Sequence, residues 1–254
     1  MFNIKNLVGT ENAKIIDQKG NVRIIEYQKD TSVRPETAMI NYFASKMNVR
    51  RRQALIELRK SGFVISVGKM QWTLGNVKAA TDVKGVGDLF GKAIKGAVTK
   101  ESAVKPKYEG SGYLMLEPTY KYLILEDVAS WGAEGMVIDD GMFLGCDAAV
   151  DQKISARSNL SSAVLGNEGL FNLKLVGNGL AVLESPVPRD ELVEITLEND
   201  EIRIDGNYAV AWSGSLEFTV EKSTKSLIGS AVSGEGFVNV YRGTGKVLMA
   251  PLVG

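Results

Sequence analysis

Three groups of residues have types and spacing that could do chemistry. The first closes the chain: GEGFVNVYRGTGKVLMAP, residues 234–251, in which Gly236, Gly243 and Gly245 are spaced like a phosphate loop. Backbone amides converge on a phosphate where a strand turns into a helix. Here strand-like sequence lies on both sides of the glycines, and Lys246 is followed by Val247 instead of the hydroxyl residue a P-loop needs. A hairpin therefore outweighs a nucleotide site.

The second group is Asp139 and Asp140, with Asp147 and Asp151 nearby. Paired carboxylates can hold calcium or move protons. The pair abuts Gly141 and lacks the ligand spacing of an EF-hand, which predicts a solvated turn. The third is the run Arg50, Arg51, Arg52, with Arg34, Lys46, Arg59 and Lys60 close by. Arg50, Arg51, Arg52 and Lys60 are the candidate anion-binding residues, for phosphates of RNA or lipid, with Tyr42 and Phe43 near enough to stack on a base. The run opens an expected strand, so the three arginines cannot share a face. A solvated edge, where positive charge discourages edge-to-edge pairing, is favoured.

Other chemistries fall away. The chain has no histidine, which removes Ser-His-Asp and Cys-His nucleophiles and histidine-held metals. Its one cysteine, Cys146, sits in an apolar run and reads as a small core residue. No catalytic, cofactor-binding or metal-ligating residue is assigned, and no cofactor is expected. Formal net charge is zero, yet residues 1–126 carry 21 basic and 12 acidic side chains, and residues 127–254 carry 9 and 18. Such a split permits opposite faces to meet in an assembly, or the basic half to meet an anionic partner. The start MFNIKNLVGT lacks the apolar run of a signal peptide, and no stretch approaches the roughly 20 apolar residues of a membrane span. A cytoplasmic location is the expectation. Lys84, Lys92, Lys95 and Lys100 flank an apolar stripe in 84–100, which could lie on a membrane surface but reads better as a cap on the fold.

The elements that must position these residues repeat. GSGYLMLEP from Gly110, GNEGLFNLKLVGNGLAVLES from Gly166 and SGEGFVNVYRGTGKVLMAP from Ser233 share one plan. A glycine (Gly112, Gly169, Gly236) precedes an alternating strand, then a turn, then a second apolar strand. Leu114 and Leu116, Leu173 and Leu175, and Val238 and Val240 fall on one face at period two. Gly177 and Gly179, and Gly243 and Gly245, stand where the chain should reverse, whereas the first copy has Pro118-Thr119-Tyr120. Upstream, GFVISVGKMQWTLG, GMVIDDGMFLGCDA and EIRIDGNYAVAWSG each run to a turn glycine: Gly68, Gly141 and Gly206. Segments rich in small residues, 86–102, 158–169 and 223–236, are expected as short caps.

The chain thus reads as all-β, with three internal β repeats in a pseudo-threefold arrangement: 50–126 with an amphipathic helical insertion, 127–185, and 186–254. Units of about 60 residues bury too little surface alone and would share a core. Residues 1–49 form an extension, with an edge strand in 21–30 and a helix in 34–49 started by Pro35. Its stripe of Met39, Tyr42, Phe43 and Met47 is expected to cover the β body.

The plan of QALIEL…GFVISVGKMQW, GVGDLFGKAIKG…KES, GSGYLMLEP and the closing stretch resembles the altered-inheritance-of-mitochondria protein 24 family over about residues 50–254. The resemblance implies a fold similar to tryptophan RNA-binding attenuation protein, a short double-stranded β-helix. It implies no catalytic residues. The function expected is a non-enzymatic binding or scaffold protein that forms a homo-oligomer. A second reading is an RNA or anionic-ligand binding regulator using the basic half, although nucleic acid is disfavoured by the acidic second half. Two further readings are a carboxylate or lysine site in a β-helix pocket and peripheral membrane contact through Lys84, Lys92 and Lys95.

Overall fold

The computed structural model describes residues 2–80, 105–156, 171–222 and 237–252. Gly169, Gly236, the three expected caps and Lys84, Lys92 and Lys95 lie outside the described residues. In chain order the strands are β1 (Ala13–Lys19), β2 (Val22–Tyr27), β3 (Arg52–Ile65), β4 (Met70–Ala80), β5 (Lys107–Leu116), β6 (Tyr122–Asp127), β7 (Met136–Ile138), β8 (Phe143–Asp147), β9 (Asp151–Ala156), β10 (Phe171–Val176), β11 (Leu180–Ser185), β12 (Val193–Asp205), β13 (Ala209–Ser213), β14 (Glu217–Lys222) and β15 (Phe237–Met249). One α-helix among the described residues, α1 (Ala38–Lys46), follows a 3-10 turn, Pro35–Thr37, that begins at the expected proline.

The strands form two curled sheets, antiparallel in every pairing among the described residues. The first runs β1-β2-β3-β8-β11-β6, with β5 paired to β3 and to β4. The second runs β12-β15-β13-β7-β10-β9, with β14 on β15. The chain crosses between sheets repeatedly: Gly177 and Gly179 carry it from β10 in the second to β11 in the first.

Alternation within strands does more than separate core from solvent. On β11, Leu180 and Val182 enter one apolar cluster with Ile56, Phe63 and Leu114, while Ala181 and Leu183 enter another with Met136, Ile138 and Leu175. On β7, Met136 and Ile138 face that second cluster, and Val137 faces a third with Trp212, Tyr241 and Val247. A period of two thus gives successive residues to neighbouring cores. The expectation that one face of β5, β10 and β15 is buried holds for Leu114, Leu116, Leu173, Leu175, Val238 and Val240. The other face is largely buried too: Met115, Asn172, Asn239 and Tyr241 are all inside.

Several local expectations need correction. Gly243 and Gly245 do not reverse the chain, because β15 is one strand of 13 residues. Gly243 instead pairs with Asp200 beside a bulge, where Glu198 and Asn199 stand opposite Thr244 and the ladder to β12 shifts register. Gly112 lies inside β5, not at a turn, and a Cβ there would fall on the Leu74 carbonyl oxygen of β4. Gly68, Gly141 and Gly206 do close turns, with φ of 75°, 77° and 61°. The strand in 21–30 is internal, between β1 and β3; β1 is the edge. The apolar stripe of α1 does not cover the β body, since the helix buries none of its residues.

Glycine acts differently at two of these places. Gly141→Ala meets open space but a left-handed backbone, so we expect a loss of about 1 kcal/mol. Gly112→Ala must push β4 away and should cost about 3 kcal/mol, within the range of overpacked cores. Urea unfolding of the two variants checks the order.

Candidate functional site

The arginine run lies where β3 begins, beneath α1. Arg52 is fully buried. Its Nε donates to Glu26 Oε2 at 3.0 Å, and its guanidinium lies 3.9 Å over the Tyr122 ring. Its Nη2 also donates to the Asn48 carbonyl at 3.1 Å. Arg50 Nη1 donates to the other oxygen of Glu26 at 2.9 Å and to Gln28 Oε1 at 2.7 Å, while its Nε reaches the Ser45 carbonyl. Two cations therefore meet the carbonyl end of α1, the end where the helix dipole favours positive charge.

Arg51 turns the other way. Its Nε lies 2.8 Å from Asp30 Oδ2 and donates to the Tyr120 hydroxyl. A hydrogen bond from Ser32, with help from Arg51 and Tyr120, holds the Asp30 carboxyl below its usual range. The Pro118-Thr119-Tyr120 segment closes the arrangement: Arg52 N donates to Thr119 O at 2.8 Å, and Thr119 N donates to Arg52 O at 2.9 Å. The arginines do face different ways, as a strand requires. Arg52, however, is not on a solvated edge, since β3 lies between β2 and its later partners β5 and β8. Lys60 is far along the same strand, at a bulge with φ of 57°, and lines a groove of about 510 Å³ with Arg59 and Tyr113.

The aspartates separate as well. Asp139 and Asp140 make the turn before Gly141, with the Met142 amide donating to the Asp139 carbonyl at 3.3 Å. Asp147 ends β8 and accepts the Leu180 amide at 2.8 Å; burial raises its carboxyl pKa. It lines a groove of about 490 Å³ with Asn21, Glu57, Arg59 and Asn178. Among the described residues no group of three or more His, Cys, Asp or Glu could hold a metal ion. Cys146 is in the core, where burial pushes its thiol up to about 12.

Sequence reasoning misses the buried glutamates. Glu126 accepts from Trp131 Nε1 and from Arg189 Nε at 2.6 Å. Glu184 meets Lys69 Nζ at 3.0 Å and Lys121 Nζ at 3.6 Å. With Glu26, they pair residues up to 115 positions apart, which no local pattern reveals. A more exposed clamp holds β15: Arg242 reaches Glu201 on β12 and Glu221 on β14.

These features define a mostly β protein in which arginine and lysine fasten strands to one another through carboxylates. Residues 46–252 match the family described as Mitochondrial biogenesis AIM24, and the chain belongs to that family. It is similar in fold to the crystal structure of a Streptococcus pyogenes protein from a structural genomics programme. That likeness has 24% identity and a TM-score of 0.60, over 91% of this chain and 94% of the other. No curated protein matches the chain.

Two consequences can be measured. Arg52→Ala leaves Glu26 buried with Arg50 alone, and should cost about 3 kcal/mol in denaturant unfolding. Arg52→Lys should recover only part of this, because an ammonium cannot make the planar contacts to Glu26 and Tyr122. Arg242 hydrogen bonds hold Glu221 down from 4.5 to about 2. A depressed carboxylate contributes stability that is complete above its unfolded pKa and is lost as pH falls through its folded value. Solvent screening keeps the contribution small. Arg242→Gln should therefore flatten the fall in urea midpoint between about pH 4.5 and pH 2.

Proposed function

We propose that the chain is a non-enzymatic scaffold that assembles with copies of itself, its three β units arranged around a pseudo-threefold axis as a double-stranded β-helix. The left-handed turns at Gly68, Gly141 and Gly206 support the unit plan, because each ends the first strand of one unit. Among the described residues the three most buried glutamates, Glu26, Glu126 and Glu184, are engaged by cations. This favours a structural use of charge over acid–base work.

Self-association rests on one observation: the sheets end in exposed edges of different charge. Among the described residues β12 pairs only with β15, and it presents Glu194, Glu198, Asp200, Glu201 and Asp205. Among the same residues β1 pairs only with β2, and it presents Lys14 and Lys19, with Ile15 and Ile16 42% and 48% exposed. Unpaired edges are templates for another chain. A contact between unlike edges is heterologous, so it closes a ring or grows without end.

Light scattering on a sizing column should give a discrete oligomer. The double variant Lys14→Glu and Lys19→Glu, which makes both edges acidic, should shift it towards monomer. A wild-type chain that is monomeric at every concentration would falsify the assembly.

A further inference from the structure

The helix α1 is turned inside out. Asn41, Ala44 and Ser45 are its partly covered residues, whereas Met39, Ile40, Tyr42, Phe43 and the following Met47 are between 58% and 77% exposed. In a helix that covers a core the apolar stripe faces inward. Here the inward side rests on polar groups: Arg50 on the Ser45 carbonyl, Arg52 on the Asn48 carbonyl, and Asn48 on the Tyr122 hydroxyl. That platform fixes which side of α1 is presented outward.

The charge around the helix identifies the occupant. Residues 26–52 carry six cations and three anions. Glu26 is taken by Arg50 and Arg52, and Asp30 by Arg51. Arg34 stands just before the 3-10 turn that starts the helix and Lys46 ends it, with its ammonium 5.3 Å from the Tyr42 ring, against Glu36 in the first turn. The five exposed side chains offer on the order of 600 Å², less than the roughly 800 Å² per partner of a stable protein interface. They also form a ridge on a single helix, which suits a yielding medium better than a second rigid surface. A short amphipathic helix with a cationic border lies in the headgroup region of an anionic bilayer.

We propose that α1 docks the protein on an anionic lipid surface. Met39, Ile40, Tyr42, Phe43 and Met47 enter the headgroup region, and Arg34 and Lys46 at the two ends of the helix meet lipid phosphates. This contact involves neither the sheet edges nor residues 84–100, and it stands whether or not the chain assembles.

Flotation of the full chain with vesicles tests it. One set is phosphatidylcholine alone; the other contains roughly a third phosphatidylglycerol. The chain should float with the anionic set, weakly with the neutral one, and less as salt rises. Ile40→Ser with Phe43→Ser should lower the bound fraction at limiting lipid about tenfold or more, with an unchanged thermal midpoint. Lys46→Glu should lower it as well, without touching the apolar side chains. The proposal is overturned if the wild type fails to float with anionic vesicles, if it floats equally with neutral ones, or if the serine variant floats like the wild type. It is also overturned if the serine variant loses an oligomer in lipid-free solution, which would make this face an interface between copies.

Discussion

The structure depends on strands that bury both faces. Antiparallel sheets usually turn one face to water. Here β6, β8 and β11 are walls between two apolar clusters, and β7 and β13 are walls between the second cluster and a third. A wall strand has no polar face, so its residues must be apolar or small at successive positions. β11 reads Leu180, Ala181, Val182, Leu183, and β8 reads Phe143, Leu144, Gly145, Cys146. Gly145 is glycine because a Cβ there would meet Phe63 at 2.6 Å and the Val64 carbonyl at 2.8 Å. At β13 the alternation slips: Val210 and Ala211 both face the middle cluster, and the ladder to β15 has a bulge at this point. One extra residue at a bulge turns the following side chains to the other face.

Shared walls explain where the charges sit. A strand filled on both sides can carry a charged group only near its ends, and there the group is partly desolvated. Glu26 lies near the end of β2, Glu126 near the end of β6 and Glu184 near the end of β11. Each is at most 6% exposed and each has a cation. Removing one partner from such a pair costs more than the pair contributes, since the remaining charge stays buried. These pairs therefore fix which strand ends meet, for instance β11 with the β3–β4 turn through Lys69 and Glu184.

Much of the fold was legible in the sequence because its signals are local. The strand content, the turns at Gly68, Gly141 and Gly206, the 3-10 start at Pro35 and the core position of Cys146 follow from short patterns. What was hidden depends on distant partners. GTG at 243–245 has the composition of a hairpin turn, yet the ladder from β12 runs past it on both sides. Glu198 and Asn199, the latter with φ of 54°, absorb the mismatch as a bulge opposite Thr244. The arginine run reads as solvated because its carboxylate partners, Glu26 and Asp30, lie 21 or more residues away in sequence. The stripe on α1 was visible, but periodicity reveals an apolar face and not the direction it points.

That direction is set by the same rule that organises the body. Over the outer face of β2, β3 and β5, the extension already supplies a cover: Leu7, Val8 and Ala13 pack with Ile25, Leu55, Met115 and Trp72. The neighbouring end of β3, where α1 stands, is occupied by Arg52, Glu26 and Tyr122. An apolar stripe laid on that end would strand the guanidinium and the carboxylate, and desolvating such groups without partners is costly. The helix accordingly turns the carbonyls at its C-terminal end to the arginines and its methionines and aromatics to the outside. Its exposed face is thus a consequence of the buried ion pair beneath it. A surface that matches α1 is apolar where the helix is apolar.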